Sequence, residues 1–412
     1  PCGTLFPYTT LFRSVLLLGA RATVLALFGL MLIGLWVFAR PLGAGVAAGA
    51  VLLATACPRL LGHAQLATLD LPLACFWVWT LAALERATRR ALPEADRRGP
   101  KAGTGGPHPL PRRCGWGLAA CLLGGAAFLT KFSGIALLGV VLFWPLLVAA
   151  LQGAPHSTRA AGRLRGLVRA LFEGLAWALA AGAVAAGMLV ACWPWLWEET
   201  GARLSVYMAG SLAHSMAPVL YLGEVYGAGW EGGPPPWHYA FVMLLVTLPV
   251  FVSAGAIAGA GSVVRALLTL RRSGASASAR PEGQGQEAVP CADPTDPQVQ
   301  RTLLLAGLGA AALPGASMLP GTAAYDGIRL FLPAVPLLCV LAAAGWMRAG
   351  LWLSRRLMPV RDGVRAATAL HLVLGLGGAV FGRLAVIDDL GFYTLAIGGP
   401  AGAERLGLQT SY

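Results

Sequence analysis

Gly62-His63-Ala64-Gln65-Leu66-Ala67-Thr68-Leu69-Asp70-Leu71-Pro72 is a polar island between two apolar runs, about 43–58 and 72–88. A histidine, a threonine and a carboxylate stand there, where one apolar helix should end and the next begin. Ionisable groups at such an edge are costly in a membrane unless they face water, a partner or a substrate, so His63 and Asp70 are candidate functional residues.

The flanks support a membrane edge. Hydrophobic residues make up 57% of the 412 residues and charged ones only 12%, about half the roughly 25% of soluble domains. Ten apolar runs recur, near 15–38, 43–58, 72–88, 115–130, 134–151, 173–192, 239–260, 303–319, 328–347 and 366–387. Each approaches the ~20 residues that cross ~30 Å of hydrocarbon. The expected fold class is an all-α polytopic membrane protein, a transmembrane helix bundle of about ten spans over 15–387.

The net charge of +13 invites a nucleic-acid reading, but its distribution excludes one. With loops assigned alternately to two sides, Arg40 and the loops 86–114, 152–172, 261–302 and 348–365 hold 23 of the 31 basic residues. The remaining eight are set against nine acids on the other side. Lys and Arg accumulate on the cytoplasmic side, so the island, the long loop 198–238 and both chain ends are expected to face outward. Excess basic charge then marks topology and contact with membrane lipids. The linkers 86–114 and 261–302, rich in polar and small residues, read as disordered. Eight scattered cysteines form no CxxC and read as small apolar packing residues.

Further outward segments carry chemistry. Thr130-Lys131-Phe132-Ser133-Gly134 divides a run too long for one span. Lys131 there reads either as a snorkelling lysine or as a contact to a phosphate head group. Trp193-Pro194-Trp195-Leu196-Trp197 is an interfacial anchor whose rings, Trp195 among them, can stack on a sugar or prenyl chain. The 198–238 loop carries His214, Tyr221, Glu224, Tyr226, Trp230, Glu231 and His238. Tyr325-Asp326-Gly327-Ile328-Arg329 places opposite charges three residues apart at the start of a span. Asp326 and Arg329 either pair with each other or belong to the same outward site as Asp70. Together these residues suit a lipid-linked substrate: cations for a phosphate, carboxylates for acid–base work or a metal, and aromatics for sugar and isoprenoid. No metal-binding spacing singles out the histidines, so no cofactor is certain and a divalent metal stays open.

Cys57-Pro58-Arg59 through Pro72, Thr130–Gly134, Trp193-Pro194-Trp195, Tyr221–Gly227 with Pro236-Trp237-His238-Tyr239, and Tyr325–Pro333 resemble, in this order, bacterial members of glycosyltransferase family 39. That family includes protein O-mannosyltransferases and lipid A aminoarabinose transferases of the GT-C type. The resemblance covers about 55–412 and rests on shared order rather than on one motif. It implies a GT-C-like bundle in a bacterial inner membrane that transfers a sugar from a polyprenyl-phosphate donor to a protein hydroxyl or a lipid or glycan acceptor on the outer face. It implies a secondary acidic role for Asp70 and substrate binding by His63, Lys131, Trp195, Glu224, His238, Tyr325, Asp326 and Arg329. The family's principal aspartate belongs in an outer loop ahead of residue 15. Residues 4–14 resemble a translated sequencing adapter, so 1–14 are set aside as an artefact. The main catalytic loop is then expected to be missing and the fragment inactive, with 388–412 the start of a truncated outer region.

Two other classes compete. A transporter or flippase of lipid-linked sugars would favour internal repeats and midplane charges; no repeat is visible, and the charges sit at one face. A non-catalytic partner subunit is the third reading.

Overall fold

A computed structural model of the chain describes residues 7–88, 110–152, 160–212, 218–227, 233–273, 296–319, 327–357 and 391–410, with 369, 373 and 377. The first four helices are α1 (Pro7–Ala39), α2 (Ala44–Thr55), α3 (Pro58–Ala64) and α4 (Asp70–Thr88). They are followed by α5 (Leu110–Thr130), α6 (Ala136–Gln152), α7 (Ala160–Cys192) and α8 (Thr200–Leu212). A two-stranded hairpin, β1 (Val219–Tyr221) and β2 (Glu224–Tyr226), precedes α9 (Tyr239–Thr247), α10 (Val250–Ser273), α11 (Pro297–Ala316), α12 (Ala334–Leu357) and the short α13 (Gly399–Arg405).

The expected class is the observed one, a polytopic helical membrane protein. In a bilayer the backbone must satisfy its own hydrogen bonds, and helices do so within the segment. The expected count of ten spans is met in part. Among the described residues, five helices are long and apolar enough to cross: Val15–Leu42, Phe132–Ala150, Leu164–Cys192, Val250–Leu268 and Ala334–Leu353. A sixth is formed if α2 and α3, bent by 66°, count as one broken span.

The differences have local causes. Pro58 forces Cys57 into an extended conformation and breaks the second run. Pro249 does the same to Leu248, so the run 239–260 becomes α9 and α10. The run 115–130 forms an apolar helix that is short for a span. The runs 72–88 and 303–319 form α4 and α11, which carry more polar residues because protein surrounds much of their surface. Trp77, Val78, Thr80 and Glu85 of α4 and Gln300 and Thr302 of α11 are all buried. The run 366–387 lies outside the described residues, apart from three isolated positions.

α12 is the central helix, with 72% of its apolar window buried, whereas α7 has only 17% of its window buried and presents most of its surface outward. Indole donors tie neighbouring helices by reaching backbone carbonyls or hydroxyls. Trp79 Nε1 donates to Leu30 O at 2.9 Å, Trp144 Nε1 to Thr88 Oγ1 at 2.9 Å, and Trp346 Nε1 to Phe251 O at 2.7 Å. The described Cys57, Cys75, Cys121 and Cys339 are buried packing residues, while Cys192 is exposed.

The α10–α12 crossing depends on missing side chains. A Cβ on Gly259 would lie 2.0 Å from Leu341 O, and one on Gly345 would lie 2.2 Å from Gly255 O. Backbone meets backbone there, as small residues permit in membrane helices. Gly259→Val should therefore destabilise the protein by about 1–3 kcal/mol, the usual penalty of overpacking. It should lower the unfolding temperature in detergent, whereas Gly182→Ala, where no atom lies within 4 Å, should leave it unchanged. Equal melting of the two variants would refute the close-crossing argument.

Candidate functional site

The polar island is more ordered than a loop. Pro58 starts α3 and places Arg59 and His63 one helical turn apart, both buried. Asp70 is the first residue of α4, where a carboxylate is favoured by the helix dipole. Its side chain is only 1% exposed. A carboxylate this deep is tolerated only with counter-charges.

Two cations supply them. Lys131 Nζ lies 2.7 Å from Asp70 Oδ1, and Arg329 Nε lies 2.6 Å from Oδ2. Lys131 is an extended residue between the end of α5 and the 3-10 turn Phe132–Ile135. Arg329 opens the 3-10 turn Arg329–Phe331 ahead of α12. Asp70 precedes the apolar run 72–88. Burial would raise its pKa, but Lys131 and then Arg329 outweigh burial and hold the carboxyl below the usual carboxylate range. Of the two expectations for Arg329, the site shared with Asp70 is seen here, while Asp326 lies outside the described residues. His63 lies within the field of this group, acted on by Asp70 and by Arg59, Arg329 and Lys131. Among the described residues its buried Nδ1 has no hydrogen-bond partner.

The hairpin forms a second group. Leu222 and Gly223 at its tip have φ of 54° and 84°, the two positive values that suit the twist of a tight hairpin. Tyr226 Oη donates to Glu224 Oε2 at 2.7 Å, on the exposed part of the hairpin. Tyr221 Oη and His238 Nδ1 are hydrogen-bonded at 2.8 Å. Tyr239 packs edge-on against Tyr221 at 5.0 Å and against Phe331 at 6.4 Å. Its hydroxyl accepts from Gly327 N at 3.1 Å. Glu224 and His238 therefore make no polar contact with Asp70; His238 approaches the clamp through Tyr221, Tyr239 and the turn that carries Arg329.

Trp195 belongs to a third group. Its ring lies 5.2 Å from Trp193 and carries the Arg203 guanidinium at 5.5 Å. Arg203 also meets Glu198 at 2.9 Å. Trp193 contacts Tyr207 at 5.3 Å, and Tyr207 contacts Phe132 at 6.3 Å. A line of rings thus runs from Trp195 to the residue beside Lys131.

Of the predicted site residues, His63, Asp70, Lys131 and Arg329 come together. Trp195 and His238 are joined to them through aromatic relays, and Glu224 stands apart. Tyr325, Asp326 and His214 lie outside the described residues. Arg59, Tyr221 and Tyr239 were not singled out in advance as site residues. An arginine in an otherwise apolar stretch was the available signal for Arg59. A metal does not fit at the clamp, because both Asp70 oxygens already face cations. Among the described residues, no three His, Cys, Asp or Glu side chains are grouped to hold one.

No family model matches the sequence, and no curated protein matches it. Several solved structures resemble its fold. ArnT from Cupriavidus metallidurans, in the apo state, is 19% identical over 90% of this chain and 59% of its own, with a TM-score of 0.45. The same protein bound to undecaprenyl phosphate is 20% identical over the same shares, with a TM-score of 0.43. The archaeal oligosaccharyltransferase AglB from Archaeoglobus fulgidus, in complex with an inhibitory peptide and a dolichol-phosphate, is 11% identical over 89% of this chain and 44% of its own, with a TM-score of 0.46. These neighbours are GT-C glycosyltransferases. The chain spans 59% of the length of ArnT and 44% of that of AglB.

The clamp predicts an asymmetry between its members. Asp70→Asn leaves two neighbouring cations without their shared counter-charge. It should destabilise the protein by roughly 1–3 kcal/mol, less than for a fully buried pair because both cations reach water. Lys131→Met should do less, since Arg329 still neutralises Asp70. Thermal unfolding in detergent checks this; an unchanged melting temperature for Asp70→Asn would mean that the clamp does not hold these elements together.

Proposed function

We propose that the chain belongs to an integral membrane glycosyltransferase of the polyprenyl-phosphate-dependent kind. It moves a sugar to an envelope acceptor, a protein hydroxyl or a lipid or glycan, on the outer face of a bacterial inner membrane. The observation that carries this reading is Asp70 holding Lys131 and Arg329 side by side at helix ends of an apolar bundle. Among the described residues, one carboxylate is paired there with two cations. Arg329 remains 42% exposed and Lys131 19% exposed, so a phosphate can reach both. Basic groups fixed where negative charge develops lower the barrier to its departure.

The transfer balances simply. The acceptor hydroxyl oxygen attacks the anomeric carbon. The bond from that carbon to the phosphate oxygen breaks, and polyprenyl phosphate leaves with the electron pair beside Lys131 and Arg329. The hydroxyl proton goes to a base. Asp70 is a poor candidate for that base, because both its oxygens are engaged and its pKa is depressed. Its role in this scheme is to hold the two cations, in keeping with the secondary acidic position that the family resemblance implies. His63, buried beside the same charges, lines the inner side of the site. The rings from Phe132 to Trp195 supply an apolar and stacking surface next to Lys131.

Binding tests this without needing turnover. The purified chain in nanodiscs should bind a polyprenyl phosphate in preference to the neutral polyprenol. Lys131→Met and Arg329→Met should each weaken phosphate binding roughly tenfold, as expected for the loss of one charge-assisted contact, and leave polyprenol binding alone. Equal affinity for phosphate and alcohol, or no effect of the double variant, would remove the phosphate-site reading.

A further inference from the structure

Residues 391–410 touch several parts of the molecule far from them in sequence. Arg59 Nε donates to Phe392 O at 3.1 Å, and its guanidinium lies 5.3 Å over the Tyr393 ring. Thr394 N donates to Val246 O at 2.7 Å, near the end of α9. Tyr393 Oη donates to Gln409 O. Gln409 N donates to Leu220 O and Gly223 N donates to Gly407 O, each at 3.1 Å, so the segment is bound to both β1 and the hairpin tip.

The hairpin in turn leads to the cation pair. Tyr221 packs on Tyr239, and Tyr239 holds Gly327 N by its hydroxyl and Phe331 by its ring. Gly327 and Phe331 bracket Arg329. The other foot of the segment is Arg59, one helical turn before His63. Both ends of the path finish at the Asp70 group.

We infer that residues 391–410 are a strap that positions Arg329 against Asp70 through the hairpin and Tyr239, with Gly407 and Tyr239 as positioning residues. The inference builds on the phosphate-site reading. It adds that the affinity of this site for phosphate is set partly by a segment that does not line it.

Gly407 offers a sharp test. Its φ is +65°, and a Cβ there would lie 2.2 Å from Gly223 N and 2.5 Å from Gly223 Cα. An alanine must push the strap off the hairpin. Gly399 is a matched control: its φ is +66°, but a Cβ there would meet only Leu395 Cδ2, at 3.9 Å. The two alanine variants share the backbone strain and differ in the clash.

The experiment uses the whole chain in nanodiscs, with hydrogen exchange and polyprenyl phosphate against polyprenol as probes. Gly407→Ala should raise exchange in 219–226 and also in 327–332. It should reduce the preference for phosphate over alcohol roughly tenfold, within the usual range of coupling between sites. Gly399→Ala should raise exchange only within 391–410. Tyr239→Phe keeps the ring and removes the hydroxyl; it should raise exchange at Gly327 and reduce the phosphate preference while leaving 391–410 protected. The inference is overturned if Gly407→Ala loosens the hairpin but not 327–332, or if Gly399→Ala has the same effects. Should Gly407→Ala not fold, unchanged Gly327 exchange and phosphate preference in Tyr239→Phe would overturn it instead. Exchange needs no ligand, so a chain that never prefers phosphate refutes the site reading while the strap is still judged by exchange.

Discussion

A buried carboxylate shared by two cations is the constraint on which the rest of this structure depends. Asp70 heads α4, Lys131 follows α5 and Arg329 leads into α12, so one acidic side chain joins three elements at one end of the bundle. Apolar packing is present at that end too, with Leu71, Ile328, Phe331 and Leu332 fully buried, but it is not directional. Lipid tails are as apolar as leucine, and helix association in a membrane relies on close packing and polar contacts instead. A doubly paired carboxylate is directional where leucine contacts are not. Removing either cation leaves the group incomplete rather than merely looser.

Elsewhere the bundle is held by the other two devices available in lipid. Bare backbone crossings at Gly255, Gly259 and Gly345 bring α10 against α12. Indole N–H groups of Trp79, Trp144 and Trp346 find acceptors on neighbouring helices. These contacts set the helices side by side along their lengths, and the clamp sets the connections at one end. The division explains why irregular backbone, including the 3-10 turns at Phe132 and Arg329, gathers around the polar group. Non-helical chain leaves peptide groups to satisfy, and it is tolerated where protein or water can satisfy them.

Composition made the membrane class legible, and the runs 15–38, 134–151, 173–192 and 328–347 became spanning helices. Among the described residues fewer helices than runs qualify as spans, because a single rule was applied to unlike helices. Pro58 and Pro249 broke two runs, and α4 departed from span-like composition because protein, not lipid, encloses much of it. For the site, order along the chain singled out Asp70, Lys131 and Arg329, but local reasoning could not decide whether Arg329 pairs with Asp326 or joins Asp70. Arg329 meets Asp70 across 259 residues of chain, and Lys131 is 61 residues from Asp70. Contacts at that separation follow from how helices are arranged, which periodicity and composition do not encode. Arg59 is the same lesson in reverse. It stands in an apolar stretch, and one of its contacts, the carbonyl of Phe392, lies 333 residues on.

The arithmetic of charge decides what the site is suited to do. Lys131 and Arg329 each pair with one oxygen of Asp70, and together they hold its carboxyl below the usual carboxylate range. The group is therefore built to hold positive charge rather than to move protons. A carboxylate meant as a general base needs an oxygen free for the incoming proton and a pKa near the working pH; Asp70 has neither. Two cations paired with one acid, beside a line of aromatic rings, are the features on which the proposed phosphate site rests. Under the proposed transfer, proton removal falls to a different group from the one that holds this charge in place.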